Sequence, residues 1–161
     1  MANKTVSVQV LGLRELGKAL SELSEDIAKK VARAATNAGA QVIKKRAVQK
    51  APVSDPALTP NIPPGYMRDS IIVRRQRRPD KGLTSQHAVT VRHKGAKVLA
   101  DAPNPYQVGI FNEFGTVKMS AQPFMRPAFD SGKSEALDAI VKRLQQRIEK
   151  ANKARNAKKR S

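Results

Sequence analysis

The sequence predicts an α+β fold in which a long N-terminal helix and a C-terminal helix pack on one antiparallel sheet, with long loops between the elements. Two observations predict it: apolar residues recur at helical spacing near both ends of the chain, and short alternating or β-branched stretches stand at its start and in its middle. The chain has 161 residues, enough for one modest core. We therefore predict a single domain over residues 1–150.

The first predicted elements are a short strand and a long helix. Valine alternates with polar residues over residues 5–10, which is typical of a strand with one buried face. From Leu13, apolar residues recur at spacings of three and four as far as Val31, and small residues continue the stripe. Pro52 predicts that this helix stops near Lys50 or Ala51, because proline removes a backbone donor and restricts the residue before it.

Two ion pairs are predicted on the polar face of this helix. Glu25 precedes Lys29 and Asp26 precedes Lys30 by four residues each. This acid-first order stabilises an exposed helix by about 0.3 kcal/mol per pair. The pairs are therefore expected to support solubility more than they determine the fold.

The middle of the chain predicts a long loop followed by strands. Residues 51–66 contain five prolines and one glycine, which indicates an extended, exposed loop. Residues 70–73 and 88–92 are predicted to pair as an antiparallel hairpin, because a basic, turn-rich link joins two β-branched stretches. A third extended segment is predicted at residues 98–100.

The C-terminal part predicts a second amphipathic helix and then a tail. Leu137, Ile140, Leu144 and Ile148 recur at helical spacing. Residues 151–161 carry five positive charges, no acid and no apolar residue larger than alanine. Because such a segment has little to bury, we predict that it is a disordered basic tail.

Composition limits the classes of function. The chain has 31 Lys and Arg against 13 Asp and Glu, a formal charge of +18, which favours an anionic partner such as nucleic acid, an acidic protein or a membrane surface. The absence of cysteine excludes disulfides and thiolate sites and suits a cytoplasmic origin. No apolar run approaches the roughly 20 residues that span a bilayer, so we predict a soluble, non-exported protein with no membrane partner.

The sequence offers no constellation typical of an enzyme. His87 and His93 are the only histidines, and no carboxylate completes a recognisable metal set beside them. The acidic residues are scattered over predicted loops and ends, without the pairing that acid–base catalysis needs. The glycines form no phosphate-binding loop. We therefore predict neither catalytic residues nor a cofactor nor a metal.

Two basic clusters predict a cationic patch, one on the hairpin and one near the end of the first long helix. Such a patch can follow a phosphate backbone. The alternative is a solvated surface, since no aromatic residue is interleaved for base stacking and no helix-turn-helix or zinc-finger pattern is present. The predicted DNA-facing or electrostatic residues are Arg74, Arg75, Arg77, Arg78, Lys44, Lys45 and Arg46.

The aromatic residues concentrate in residues 111–129, which hold all four phenylalanines. One interpretation is that this segment completes the core. The other is that it anchors a second polypeptide, because Pro123 and Pro127 bracket Phe124, Met125 and an arginine in what we predict to be a stiff loop. The residues alone leave both interpretations open.

A series of motifs runs through the chain in a fixed order. Val-x-Gly-Leu-x-x-Leu at 10–16 comes first, then Ala51-Pro52, Met-Arg-Asp-Ser-Ile at 67–71, Phe-Asn-Glu-Phe-Gly-Thr at 111–116 and Ala-Gln-Pro-Phe-Met-Arg-Pro-Ala at 121–128. This combination, over roughly residues 8 to 150, resembles the HK97 gp10-like family of tailed-phage neck and tail-completion proteins. The proline-rich stretch at 53–64 departs from the shorter turn of the family pattern.

The resemblance implies a non-enzymatic virion protein, made in the cytoplasm of a bacterial host and located in the neck of a long-tailed phage. It implies a homo-oligomeric ring of six copies at the head–tail interface. The implied partners are further copies of the chain, the head-completion or connector protein and the tail tube protein, with genomic DNA passing through the bore. The alternative is a basic nucleic-acid-binding protein that acts as a free monomer or dimer.

A ring needs a head-to-tail interface in which one copy enters a groove on the next. Phe124 and Met125 are the predicted anchor, and Arg126 is expected to bond across the interface or to Glu113. For Glu113, capping of backbone amides within its own chain is an equal alternative. The predicted interface residues are Glu113, Phe114, Gly115, Thr116, Pro123, Phe124, Met125, Arg126 and Pro127.

Overall fold

The computed structural model describes residues 12–57, 62–76, 85–93 and 102–158. Within these ranges it confirms the α+β class, with an antiparallel pair of strands and helices on both sides of it in the chain. The extended segments predicted at 5–10 and 98–100 lie outside the described residues. The elements are α1 (Leu13–Ser21), α2 (Glu25–Lys50), α3 (Tyr66–Asp69), β1 (Ile71–Gln76), β2 (Gln86–Val91), α4 (Pro105–Phe114) and α5 (Met125–Lys158).

The first predicted helix is interrupted. Residues 22–24 separate α1 from α2, and Ser24 has extended backbone angles at the N-cap of α2. The expectation of one continuous helix is wrong here because Ser24 precedes two acids, a favoured way to begin a helix. Leu23 turns into the core. The predicted end is confirmed, since α2 stops at Lys50.

The pair formed by α2 and α5 is the main body of the molecule. The helices run antiparallel, because Ile43 faces Gly132 while the earlier Gly39 faces the later Ile140. A methyl group built on Gly39 would lie 2.7 Å from side-chain atoms of Ile140. The small residues of the stripe therefore allow the two backbones to approach closely.

The two strands form a hairpin ladder whose register pairs Ile71 with Val91 and Val73 with Val89. Both strands reach further toward the hairpin tip than the predicted ranges of 70–73 and 88–92. The helix α2 packs against both strands. Residues that pair across an antiparallel ladder lie on the same face of the sheet. Ile71 and Val73 therefore share one face with their partners, and Arg74 lies on the opposite face.

Buried apolar side chains form two clusters, one toward each end of the α2–α5 pair. The hairpin cluster joins α2, α3, both strands and the start of α5, and the distal cluster joins the start of α2 to Ile148. The hairpin cluster contains Ala47, Ala51, Met67, Ile71, Val91, Phe124 and Ala128. The distal cluster contains Leu23, Ala28, Val31 and Ile148, with Leu16, Leu20, Leu144 and Ala151 packed against it.

The C-terminal region is more helical than expected. Pro105 opens α4, and the side chain of Asn104 accepts a hydrogen bond from the backbone N–H of Tyr106 at 3.0 Å, which caps a helix that we did not predict. The helix α5 begins at Met125 and continues to Lys158, so residues 151–158 are helical and not a disordered tail. No helix in the described ranges is long and apolar enough to cross a membrane.

Candidate assembly surface

The carboxylate of Glu113 joins the end of α4 to the start of α5. Its Oε2 accepts hydrogen bonds from the backbone N–H groups of Phe124 at 2.8 Å and Met125 at 2.9 Å. Its Oε1 accepts from the backbone N–H of Arg126 at 3.2 Å, and the Arg126 Nε lies 3.4 Å away. These amides have no carbonyl partner inside α5 because they stand at its beginning. Glu113 therefore caps α5 from another helix.

The electrostatics of Glu113 follow from these contacts. Burial by itself would raise the pKa of this carboxyl group. The hydrogen bonds from Met125, Phe124 and Arg126, together with the charge of Arg126, lower the pKa of Glu113 below its ordinary value. The side chain is therefore held as a carboxylate. The two alternatives for Glu113 were a role in the subunit interface and a cap on backbone amides of its own chain. The structure contains the cap.

A tight turn between α4 and α5 displays apolar side chains. Gly115 has a φ of 76°, and a Cβ built on it would lie 2.9 Å from the carbonyl oxygen of Met119. The N–H of Thr116 donates to the same oxygen at 2.8 Å, and the N–H of Gln122 donates to the carbonyl of Asn112 at 2.7 Å. Only glycine suits this position, so Gly115 and Thr116 shape the turn and lift Val117 into solvent.

The turn lies beside the exposed phenylalanines. Phe114 is 66% exposed, and the guanidinium of Arg126 sits 4.7 Å from the centre of its ring. We define the assembly surface as the exposed apolar residues at the end of α4, on the turn and in the first turns of α5. Its members are Ile110, Phe111, Phe114, Val117, Met119 and Phe129.

The predicted stiff hook of Phe124 and Met125 is wrong in its geometry. Phe124 is 1% exposed and packs in the hairpin cluster, while Met125 is half-buried against the same cluster. Pro123 precedes α5 and Pro127 lies in its first turn, so the two prolines bracket the beginning of a helix and not a loop. The side chain of Phe124 points inward. An interface role for the other predicted residues stays a prediction, and Phe114 is exposed among them.

Sequence reasoning did not assign Phe111, Val117, Met119 or Phe129 to the interface. A usable signal was present for the first of these, since Phe111 and Phe114 are three residues apart and share a side of a helix once α4 is recognised. Val117 could be found only from the positive φ of Gly115, which places the following residues on a protruding turn.

Two apolar grooves flank the first turn of α5. One has a volume of about 300 Å³ and is lined by Gly109, Ile110, Phe114 and Arg126. The other has a volume of about 590 Å³ and lies between α2, β2 and α5. Its lining includes Gly39, Ile43, Val89, Met125, Phe129 and Ile140. Each groove therefore adjoins exposed members of the assembly surface.

The predicted basic residues within the described ranges have different surroundings. Arg74 and Arg75 are exposed on β1 and line an open groove of about 980 Å³, whereas Arg46 pairs with Glu135 at 2.7 Å. Lys44 is half-buried and Lys45 is exposed on α2. The predicted residues Arg77 and Arg78 lie outside the described ranges.

The histidines are placed apart from one another. The Nδ1 of His87 lies 2.9 Å from the hydroxyl of Thr36, and burial, with a smaller effect of Arg75, lowers the pKa of His87. His93 is exposed and stacks on Tyr106, with ring centres 4.4 Å apart. Among the residues with described positions, no group of three or more His, Cys, Asp or Glu is arranged to hold a metal ion.

Comparison with known protein families matches residues 14–115 to the HK97-gp10-like family, described as a bacteriophage HK97-gp10 tail component. The match begins in α1 and ends at Gly115, so it includes Glu113 and stops before the start of α5. Neither the comparison with curated proteins nor that with solved structures returned a match.

Proposed function

We propose a specific place in the virion for this chain, which belongs to the HK97-gp10-like family of bacteriophage tail components. As a member of that family it is a structural protein of a phage tail. Our proposal is that it forms a homo-oligomeric ring, with no catalytic role, at the head–tail junction, of the tail-completion or terminator type. In that position it would join the head connector to the tail tube, with DNA in the bore.

The observation that carries this proposal is the assembly surface. Phe114 and Val117 are strongly exposed on a segment whose backbone is fixed by hydrogen bonds. Contiguous exposed apolar residues mark sites of protein contact, and aromatic anchors carry most of the binding energy of such contacts. A preformed segment loses little conformational freedom on docking.

A groove beside the assembly surface supports a head-to-tail arrangement. A closed ring needs two different, complementary surfaces on each copy. The groove of about 590 Å³ between α2, β2 and α5 is apolar along Ile43 and Ile140. We propose that the turn carrying Val117 on one copy docks in this groove of the next copy.

The experiment compares a variant of the exposed Phe114 with a variant of the nearby Lys118. Phe114→Ser removes an exposed side chain, so we expect unchanged thermal stability together with loss of rings in electron micrographs and loss of joining to purified tails. Lys118→Gln on the same turn is the matched control and should leave rings intact. Rings that form normally with Phe114→Ser would contradict the assignment of this surface. Location of the chain outside the neck in an image of the particle would contradict the proposed position.

A further inference from the structure

The far end of the α2–α5 pair carries a surface that the proposed ring contact does not use. Lys30 of α2 and Arg147 and Lys150 of α5 line one shallow groove of about 200 Å³, whose other lining residues are apolar. We call these three residues the cationic seam. All three are exposed. They are brought together by the helix packing, because Lys30 is more than a hundred positions away from the other two in the sequence.

The charges of the cationic seam are not neutralised within the described part of the chain. Of the two ion pairs predicted on α2, Glu25 with Lys29 forms, whereas Asp26 does not pair with Lys30. Arg147 and Lys150 likewise have no ion-pair partner among the described residues. Like charges held close together without a counter-ion repel each other, and a bound polyanion removes that repulsion.

The cationic character extends along α5 on both sides of the seam. Arg143, Arg147 and Lys150 follow at spacings of four and three and form one stripe about 10 Å long, at 1.5 Å per helical residue. Glu149 is the only acid between residues 142 and 158. Further exposed cations beside this stripe are Lys142, Lys153 and Arg155.

We infer that the cationic seam is a binding site for the phosphate backbone of duplex DNA. Protein interfaces depend on apolar and aromatic anchors and are depleted of charge at their centre. Ile27 is the only large exposed apolar residue among those that line the groove of the cationic seam, and the other large exposed apolar residues of the described ranges lie elsewhere. Duplex DNA carries a charge about every 1.7 Å along its axis, so a straight cationic stripe meets phosphates in any sequence.

The seam differs from the basic residues that the sequence suggested. Arg74 and Arg75 lie on the hairpin, and Arg46 is engaged by Glu135. Sequence spacing alone could not bring Lys30 together with Arg147, since the contact exists only in the packed helix pair. The inference does not depend on ring formation, because the seam is complete in one chain.

The test measures binding of the full-length protein to a fluorescent mixed-sequence DNA duplex, by anisotropy, over a range of salt concentrations. The double variant Arg147→Gln with Lys150→Gln should bind about tenfold more weakly at moderate salt, and its log–log salt slope should fall by about two, one for each lost phosphate contact. The matched control, Lys50→Gln with Lys118→Gln, removes the same charge at exposed positions and should change affinity less than about twofold.

Several outcomes would overturn the inference. They are failure of the wild-type protein to bind the duplex, equal losses in the seam variant and its matched control, and larger losses in Arg74→Gln with Arg75→Gln than in the seam variant. Displacement of the DNA by polyglutamate at equal charge concentration would assign the seam to an acidic polypeptide instead. The Phe114→Ser chain should keep its DNA affinity, so failure of the ring and failure of the seam are distinguishable.

Discussion

At one end of the α2–α5 pair the surface exposes Phe114, Val117 and Phe129 around the start of α5, while at the other end it exposes Lys30, Arg147 and Lys150. Both ends have an apolar cluster beneath them. The two ends therefore differ in the chemistry of their exposed side chains, and so in the class of partner that each can bind. An apolar, hydrogen-bonded turn suits contact with protein, whereas unpaired cations suit a polyanion. One helix, α5, can serve both partners without overlap.

The largest effect is expected from the core beneath the assembly surface. Phe124→Ala empties a site that is 1% exposed and should lower the free energy of unfolding by about 3–5 kcal/mol. Phe114→Ala, ten residues earlier and largely exposed, removes only the ring that contacts Arg126 and should lower it by no more than about 1 kcal/mol. Chemical denaturation of the two variants checks this contrast. Equal destabilisation would show that the two phenylalanines share one environment.

A smaller loss is expected from the cap of α5. Glu113→Ala leaves the amides of Phe124, Met125 and Arg126 without their acceptor and should lower the free energy of unfolding by about 2–3 kcal/mol. The exposed Glu149→Ala, on the same helix, is the control and should have little effect. Hydrogen exchange of the three amides should accelerate in the Glu113 variant alone. Unchanged protection would mean that the cap does not hold the start of α5.

Two glycines allow the packing between α2 and α5 to be compared with an open helix surface. Gly39 lies between α2 and α5, and Gly17 lies on the open surface of α1. Gly39→Ala places a methyl group 2.7 Å from Ile140 and should lower the free energy of unfolding by about 1–3 kcal/mol. Gly17→Ala in α1 meets no atom within 4 Å and should raise it by about 0.5–1 kcal/mol. Thermal melts of the two variants should move in opposite directions. A stabilised Gly39→Ala variant would disprove the close approach of α2 and α5.

The smallest effect concerns pH. The pKa of Glu113 is lowered in the folded chain, so its contribution to stability is fully present above its unfolded value of about 4.3 and is lost as pH falls through the lower folded value. Stability of the wild-type protein should therefore decline in acidic solution below about pH 4.3. Glu113→Gln should be less stable at neutral pH and should decline less on acidification. Parallel profiles of the two proteins would contradict this assignment.

Helical periodicity predicted the two amphipathic helices, because it reports directly which face is buried. Two β-branched stretches joined by a turn-rich link predicted the hairpin. The break at Ser24 and the helix from Pro105 to Phe114 were missed, although serine before two acids and asparagine before proline are local start signals. The inward direction of the Phe124 side chain could not be predicted from the sequence. It depends on the cap that the Glu113 carboxylate places on the backbone N–H of Phe124 at the start of α5. Similarly, the cationic seam exists only after two distant segments pack.

The carboxylate cap has a mechanical consequence. The helix that Glu113 caps, α5, has 34 residues and is therefore about 50 Å long. A tilt of about 5° at its capped origin would displace the opposite tip by about 4 Å, given that length. The Glu113 side chain of α4 thus helps to set the direction of α5. Its loss would displace the far end of α5 more than the end that it caps.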